Sequence, residues 1–176
     1  LVVISPNDPR AMVQYVRECQ ESRLPYIYDP SQQIIRLSGE ELADGVRGSA
    51  MTIVNEYECE MLKNKTGWSD DQVAAQTQTL IVTLGEKGSR IQTGGQAIHV
   101  PIVPARRQAD PTGVGDAYRA GIIKGYLKKL PWEITGKLGS LAATYVLEEY
   151  GTQNHRYSLQ QFRERFREAF GSTVEL

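Results

Sequence analysis

Short β-rich runs, separated by helices whose starts are legible, constrain this chain more than any other feature. Leu1–Ile4, Tyr26–Tyr28, Met51–Val54 and Leu80–Leu84 are apolar, branched or aromatic over the length of a buried strand. Between them, Asp8 is placed to cap a helix running to about Ser22, and Ser38 with Glu41 and Ser69 with Gln72 have capping-box spacing. Strand, helix, strand in this rhythm predicts a mainly parallel sheet with helices covering its faces. After Gly85 the rhythm changes. Ser89–Thr93, the Gly94-Gly95 turn and Gln96–Val103 predict a hairpin that gives the sheet an antiparallel edge. From Ala117 onward the pattern is helical, with Ile123, Tyr126, Leu127 and Leu130 on one stripe and Leu159, Phe162, Phe166 and Phe170 on another. Both stripes are expected to face the core. No repeat or long linker interrupts the pattern, so one α/β domain is expected over residues 1–176.

At 176 residues, 40% hydrophobic and 23% charged, the chain carries enough apolar side chains for a sizeable core. Twenty basic residues against twenty-one acidic ones give a formal net charge of −1, so neither nucleic acid nor an anionic membrane surface is expected as a partner. No apolar run approaches the roughly 20 residues a membrane helix needs, and no signal-peptide pattern opens the chain. Cys19 and Cys59 are too few and too scattered for a disulfide framework or a metal site, which fits reduced thiols and a cytoplasmic location. The first residues read as a buried strand without an initiator Met. The expectation is the C-terminal part of a longer protein.

The segment Asp110-Pro111-Thr112-Gly113-Val114-Gly115-Asp116 precedes a helical stretch and has the make-up of a phosphate site with a base on its rim. Its glycines let backbone approach a ligand. The first N–H groups of a helix attract anions, and Asp116 lies on that same turn. The N–H groups of Gly113, Val114, Gly115 and Asp116 would form an anion hole that stabilises a phosphoryl group in flight, and Asp116 would accept the proton of the attacking hydroxyl. The competing explanation is an Asp-Pro turn whose glycines merely start a helix, with Asp116 favourably placed near its positive end. GxxxxGK[ST] occurs nowhere in the chain, and Tyr118 occupies the third glycine position of GxGxxG, so neither of those phosphate motifs applies.

Asn55 and Glu58 are spaced either as a capping box or as an amide and a carboxylate that hold the water shell of a magnesium ion at a strand's C-terminal end. Thr83-Leu84-Gly85-Glu86-Lys87-Gly88 is either a plain turn or a place where backbone runs close to a nucleotide. Gly139, Ala142, Ala143 and Val146 form a small-residue stripe that suits close helix packing and an adenine slot equally. His99 and His155 have no neighbour at metal-ligand spacing, and both are expected to be surface or packing residues. Arg106 and Arg107 are expected to be solvated.

Taken in order, Asn55/Glu58, Thr83-Leu84-Gly85-x-x-Gly88 and Asp110–Asp116 resemble the ribokinase-like, or PfkB, family of carbohydrate kinases. The stretch DPTGVGDAYRAG is similar to that family's DTxGAGDxFxAG motif, with Pro111 and Val114 as departures and Tyr118 in the aromatic position. The resemblance implies a Rossmann-like three-layer α/β sandwich, ATP as phosphoryl donor and Mg2+. It makes Asp116 the catalytic base, with Gly113, Val114 and Gly115 as the anion hole. It makes Asn55 and Glu58 the magnesium-associated pair and Thr83, Gly85 and Gly88 nucleotide contacts. Ser140 and Ala143 align with the adenine-facing helix, and Asp110 with a position that holds K+ in many members. The family's N-terminal region, with its first glycine motif, most sugar contacts and a β-lid, has no counterpart in this chain.

Within the family, DPTGxGDAYRAG, the segment Leu24–Gln33 and Gly151-Thr152-Gln153-Asn154-His155 look most like bacterial nucleoside (adenosine) kinases. The implied activity is transfer of a γ-phosphoryl group from ATP to a nucleoside hydroxyl. A ribokinase- or fructokinase-like sugar kinase stays open, as do a noncatalytic nucleotide-binding relative and an inactive fragment. The partner is a small nucleoside or sugar, and a homodimer is the assembly that the resemblance leaves open.

Overall fold

The computed structural model describes residues 1–176 and divides into two compact units, Leu1–Gly85 with Arg90–Ala97, and Glu86–Ser89 with Ile98–Leu176. In the first, β1 (Val2–Ile4), β2 (Tyr26–Tyr28), β3 (Met51–Asn55) and β4 (Thr79–Thr83) pair in parallel, as their alternation with helices predicts. Helices α1 (Pro9–Glu21), α2 (Gly39–Val46), α3 (Glu56–Thr66) and α4 (Asp70–Gln76) form the connections. Tyr26, Tyr28, Val54, Leu80 and Val82 point from the strands into a core closed by helix residues such as Met12, Leu42, Leu62 and Val73. The capping signals are real. Asp8 accepts from the Arg10 N–H at 3.0 Å, and both halves of the box form at Ser38/Glu41, Asn55/Glu58 and Ser69/Gln72.

Strands β5 (Ser89–Thr93) and β6 (Gln96–Val100) complete a six-stranded sheet in the order β1 to β6. Gly94 and Gly95 have φ of 54° and 77°, the left-handed pair that a two-residue hairpin turn requires. The Thr79 hydroxyl donates to that of Thr93 at 3.0 Å, which sets the start of β4 beside the end of β5 and makes that pair antiparallel. β6 stops at Val100, short of the expected Val103, because Pro101 has no N–H to offer a ladder.

The second unit holds α5 (Val114–Leu127), α6 (Trp132–Leu147) and α7 (Leu159–Phe170). Glycines let α5 and α6 approach closely. A Cβ on Gly121 would lie 2.6 Å from the Gly139 Cα, and one on Gly125 would lie 2.6 Å from Thr135 Oγ1. The buried face of α5 is therefore Tyr118, Gly121, Ile122 and Gly125. Of the expected stripe, Leu130 packs against the core and Ile123 and Tyr126 are half-buried, but Leu127 is 62% exposed. Bulk did not mark the buried face because the contact is made by backbone. On α7, Phe162 and Phe166 are buried against Leu138 and Leu141 as expected, and Phe170 packs at their margin, whereas Leu159 is exposed.

The same contact sets the stability of α5. Gly121→Ala gains about 1 kcal/mol of helix propensity but forces a methyl into the backbone of α6. A net loss of about 1–2 kcal/mol is expected by chemical denaturation.

Candidate active site

Helix α5 begins at Val114, three residues before the start read from the sequence, so all of Val114, Gly115 and Asp116 lie on its first turn. Gly113 is the N-cap, with φ of 84° in the left-handed region, and a Cβ there would also press on Thr152 at 3.1 Å. Only glycine meets both demands. Asp110 clasps the turn from below: Oδ1 accepts from the Thr112 N–H at 2.9 Å and Oδ2 from the Gly151 N–H at 3.0 Å. These hydrogen bonds, those of Thr112 first, hold its carboxyl below the usual carboxylate range.

The four expected anion-hole donors are not equivalent. The Val114 N–H turns back to the Pro111 carbonyl at 3.3 Å, while those of Gly113, Gly115 and Asp116 meet no acceptor in the chain. A Cβ on Gly115 would meet nothing closer than an Arg119 nitrogen at 3.7 Å, so backbone there is open to a ligand. The Asp116 side chain is exposed and forms an ion pair with Arg119 one turn on. Free donors, the positive end of a fourteen-residue helix and a carboxylate thus share one turn.

The approach to this turn hangs on the C-terminal end of α6. The Ala109 and Asp110 N–H groups both donate to the Leu147 carbonyl, at 2.9 and 3.3 Å. Glu148, 8% exposed, accepts from both terminal nitrogens of Arg165, at 2.7 and 2.5 Å, and from the Arg106 N–H at 2.6 Å. Burial alone would raise the Glu148 carboxyl, but these hydrogen bonds and the Arg165 charge outweigh it and hold it below its ordinary value. Arg107 is exposed, as expected of a solvated residue, and is also tethered. Its Nε donates to the Glu148 carbonyl at 2.6 Å and its head pairs with Glu149 at 2.7 Å.

In the first unit, Asn55 and Thr83 are register partners at the C-terminal ends of β3 and β4, where ligands of parallel sheets bind. The capping box at Asn55 and Glu58 forms in full, with both N–H···O bonds at 2.8 Å. It does not consume the carboxylate, whose other oxygen accepts from the Ser31 hydroxyl at 3.1 Å. Gly85 has φ of 59° and open space where a Cβ would be, so it can receive a ligand. Gly88 has an internal reason to be glycine, because a Cβ there would sit 2.0 Å from the Val100 carbonyl oxygen. Ser140 is buried, donating to the Pro101 carbonyl at 2.9 Å and accepting from the Val103 N–H at 3.1 Å, and Ala143 follows one turn later and is half-buried. In the small-residue stripe, Gly139 lies against Tyr118, whose hydroxyl meets Ser89 Oγ at 2.7 Å and is pushed up to about 12 by burial. His99 engages the Lys87 carbonyl at 2.8 Å, and His155 stacks on Tyr157.

Residues 2–158 match the model of the pfkB family carbohydrate kinases. The chain belongs to that family. It is 32% identical over 155 residues to a nucleoside kinase of Methanocaldococcus jannaschii, covering 88% of this chain and 51% of that protein. The solved nucleoside kinase of Burkholderia thailandensis in complex with inosine superposes with a TM-score of 0.95 at 33% identity, over 98% of this chain and 57% of that one. The solved M. jannaschii nucleoside kinase, described as an archaeal member of the ribokinase family, gives 0.89 at 30% identity, over 95% and 56%. This chain thus spans about half the length of the relatives it matches. The ribokinase-like α/β fold and the nucleoside-kinase likeness read from the sequence are those of these relatives.

Two residues beside the sequence-read positions, one in each unit, were not singled out by sequence reasoning. Ser31, at φ of 40° and bonded to Glu58, is a strained non-glycine residue whose backbone leaves no sequence signal. Thr152 touches Gly113 from a loop nearly forty positions downstream. The Gly151-Thr152 pair was visible only as part of a nucleoside-kinase likeness.

The Glu148–Arg165 pair yields a prediction. Arg165→Met leaves a buried charge uncompensated and should cost about 3 kcal/mol, with part regained in Glu148→Leu/Arg165→Met. Because the folded Glu148 carboxyl lies below its unfolded value, its contribution is complete above about pH 4.3 and is lost as pH falls through the folded value. Glu148→Gln should therefore flatten the acid limb of a stability–pH profile.

Proposed function

We propose that the protein containing this chain is an ATP-dependent kinase that transfers the γ-phosphoryl group to a hydroxyl of a nucleoside. The observation that carries this reading is the first turn of α5, which brings together three N–H groups without acceptors in the chain and the exposed Asp116 carboxylate. The nucleoside kinases among its relatives, one of them solved with inosine, support a nucleoside as acceptor.

In this reading the Gly113, Gly115 and Asp116 N–H groups receive the charge that spreads over the transferring phosphoryl oxygens. Val114 contributes through its place in the turn, since its N–H is shared with Pro111. Asp116 takes the proton of the attacking hydroxyl. For a carboxylate that acts in a loose transition state, position matters more than basicity. Thr83, Gly85 and Gly88 border the nucleotide, and Ser140 and Ala143 lie toward its base. Asn55 and Glu58 would hold a hydrated magnesium ion: each Glu58 oxygen keeps a lone pair beyond its present bond, and magnesium binds through one or two carboxylates while keeping several waters. When bound, the ion neutralises phosphate charge. Asp110 would be among the ligands of K+.

The test is turnover by the complete protein with ATP and magnesium on inosine, adenosine, cytidine and ribose. Nucleosides are expected to be phosphorylated and Asp116→Asn to lower kcat by at least about 10²-fold. A ribose preference would move the protein to the sugar kinases. Undiminished turnover by Asp116→Asn would remove the assigned base.

A further inference from the structure

We infer that Thr152 is a positioning residue for the phosphoryl-transfer turn, acting through its methyl side rather than its hydroxyl. The inference rests on the kinase reading above and deepens it. Gly113 must hold a left-handed φ of 84° for the N–H groups of Gly115 and Asp116 to point together out of the helix start. Glycine tolerates that conformation but does not enforce it, since it populates both signs of φ about equally. Something outside the residue must select it.

Two contacts from one loop do so. On one side, the Asp110 carboxylate ties the Thr112 N–H to the Gly151 N–H, at 2.9 and 3.0 Å. On the other, Thr152 lies against Gly113: the direction in which a side chain would leave Gly113 meets Thr152 Cβ at 3.1 Å, Cγ2 at 3.2 Å and Cα at 3.3 Å. The three nearest atoms are all carbon, so the face turned to Gly113 is led by the methyl side. A β-branched side chain is stiff about χ1, which makes it a suitable wall for a flexible neighbour. The Asp110 clasp fixes the height of the loop, and the Thr152 wall fills the space into which the Gly113 peptide would otherwise swing. Thr152 is exposed apart from this contact, so replacing it does not open a core cavity.

The chemistry makes the test specific. Thr152→Val keeps the branched wall and loses only the hydroxyl, Thr152→Ser keeps the hydroxyl and loses Cγ2, and Thr152→Gly removes both. In the complete protein, with ATP, magnesium and inosine, kcat is expected to fall about tenfold or more in Thr152→Gly and severalfold in Thr152→Ser, with KM for inosine within twofold. Thr152→Val is expected to restore kcat to near that of the wild type. Amide exchange at Thr112, Gly151 and Ala117, whose N–H groups are hydrogen-bonded to Asp110, Asp110 and Gly113, should quicken severalfold in Thr152→Gly and not in Thr152→Val. A Thr152→Val variant as slow as Thr152→Gly, with Thr152→Ser unimpaired, would assign the role to the hydroxyl and overturn the inference. Wild-type exchange and kcat in all three variants would overturn it too. If the wild type turns over none of the acceptors, the kinase reading fails, and the exchange pattern alone still decides whether Thr152 holds the turn.

Discussion

The buried pairing of Glu148 with Arg165 is the contact from which the geometry of the α5 turn is suspended. Two charges held this far from water are tolerable only because their hydrogen-bonding capacity is filled, by each other and by the Arg106 N–H. Such a pair specifies more than it stabilises. An apolar replacement of similar volume would pack as well, but it would not dictate where residues 104–110 run. With Glu148 anchored, the backbone of α6 presents the Leu147 and Glu148 carbonyls to Ala109, Asp110 and Arg107, and the chain is delivered to Asp110 at a defined height.

From Asp110 onward, order is imposed on residues that have little of their own. The segment holds two glycines, and at the first the backbone adopts a conformation that nothing in its own covalent structure selects. Three of its N–H groups, on Gly113, Gly115 and Asp116, have no acceptor in the chain and lie at or near the surface, where an anion can take the place of water. Asp116 places a carboxylate on the first turn, where the helix dipole favours its charge.

The first unit solves a different problem with equally local means. Asn55 ends a strand, caps a helix and sits beside Thr83 in register. Its partner Glu58 caps the strand end with one oxygen and receives Ser31 with the other. The capping and metal explanations for this pair, which compete at the level of sequence, are compatible in three dimensions, because a carboxylate has more lone pairs than a cap requires.

Sequence alone determined what depends on neighbours in the chain. Caps, the order of strands and helices, the Gly94-Gly95 hairpin and the family motif were all legible, since each is a statement about residues within a few positions of one another. Tertiary structure decided the rest. The inner face of α5 was misread because it is lined by glycines, and the hydrophobic pattern registers bulk whereas the contact needs its absence. Arg107 is in solvent as expected, but its tether to the end of α6, some forty residues away, was not legible. Ser31 and Thr152 carry no marking of their own; only the fold brings one to Glu58 and the other to Gly113. The family motif is local, as DPTGVGD, but its conformation is held by contacts whose ends lie far apart in the chain, Asp110 with Gly151 and Gly113 with Thr152.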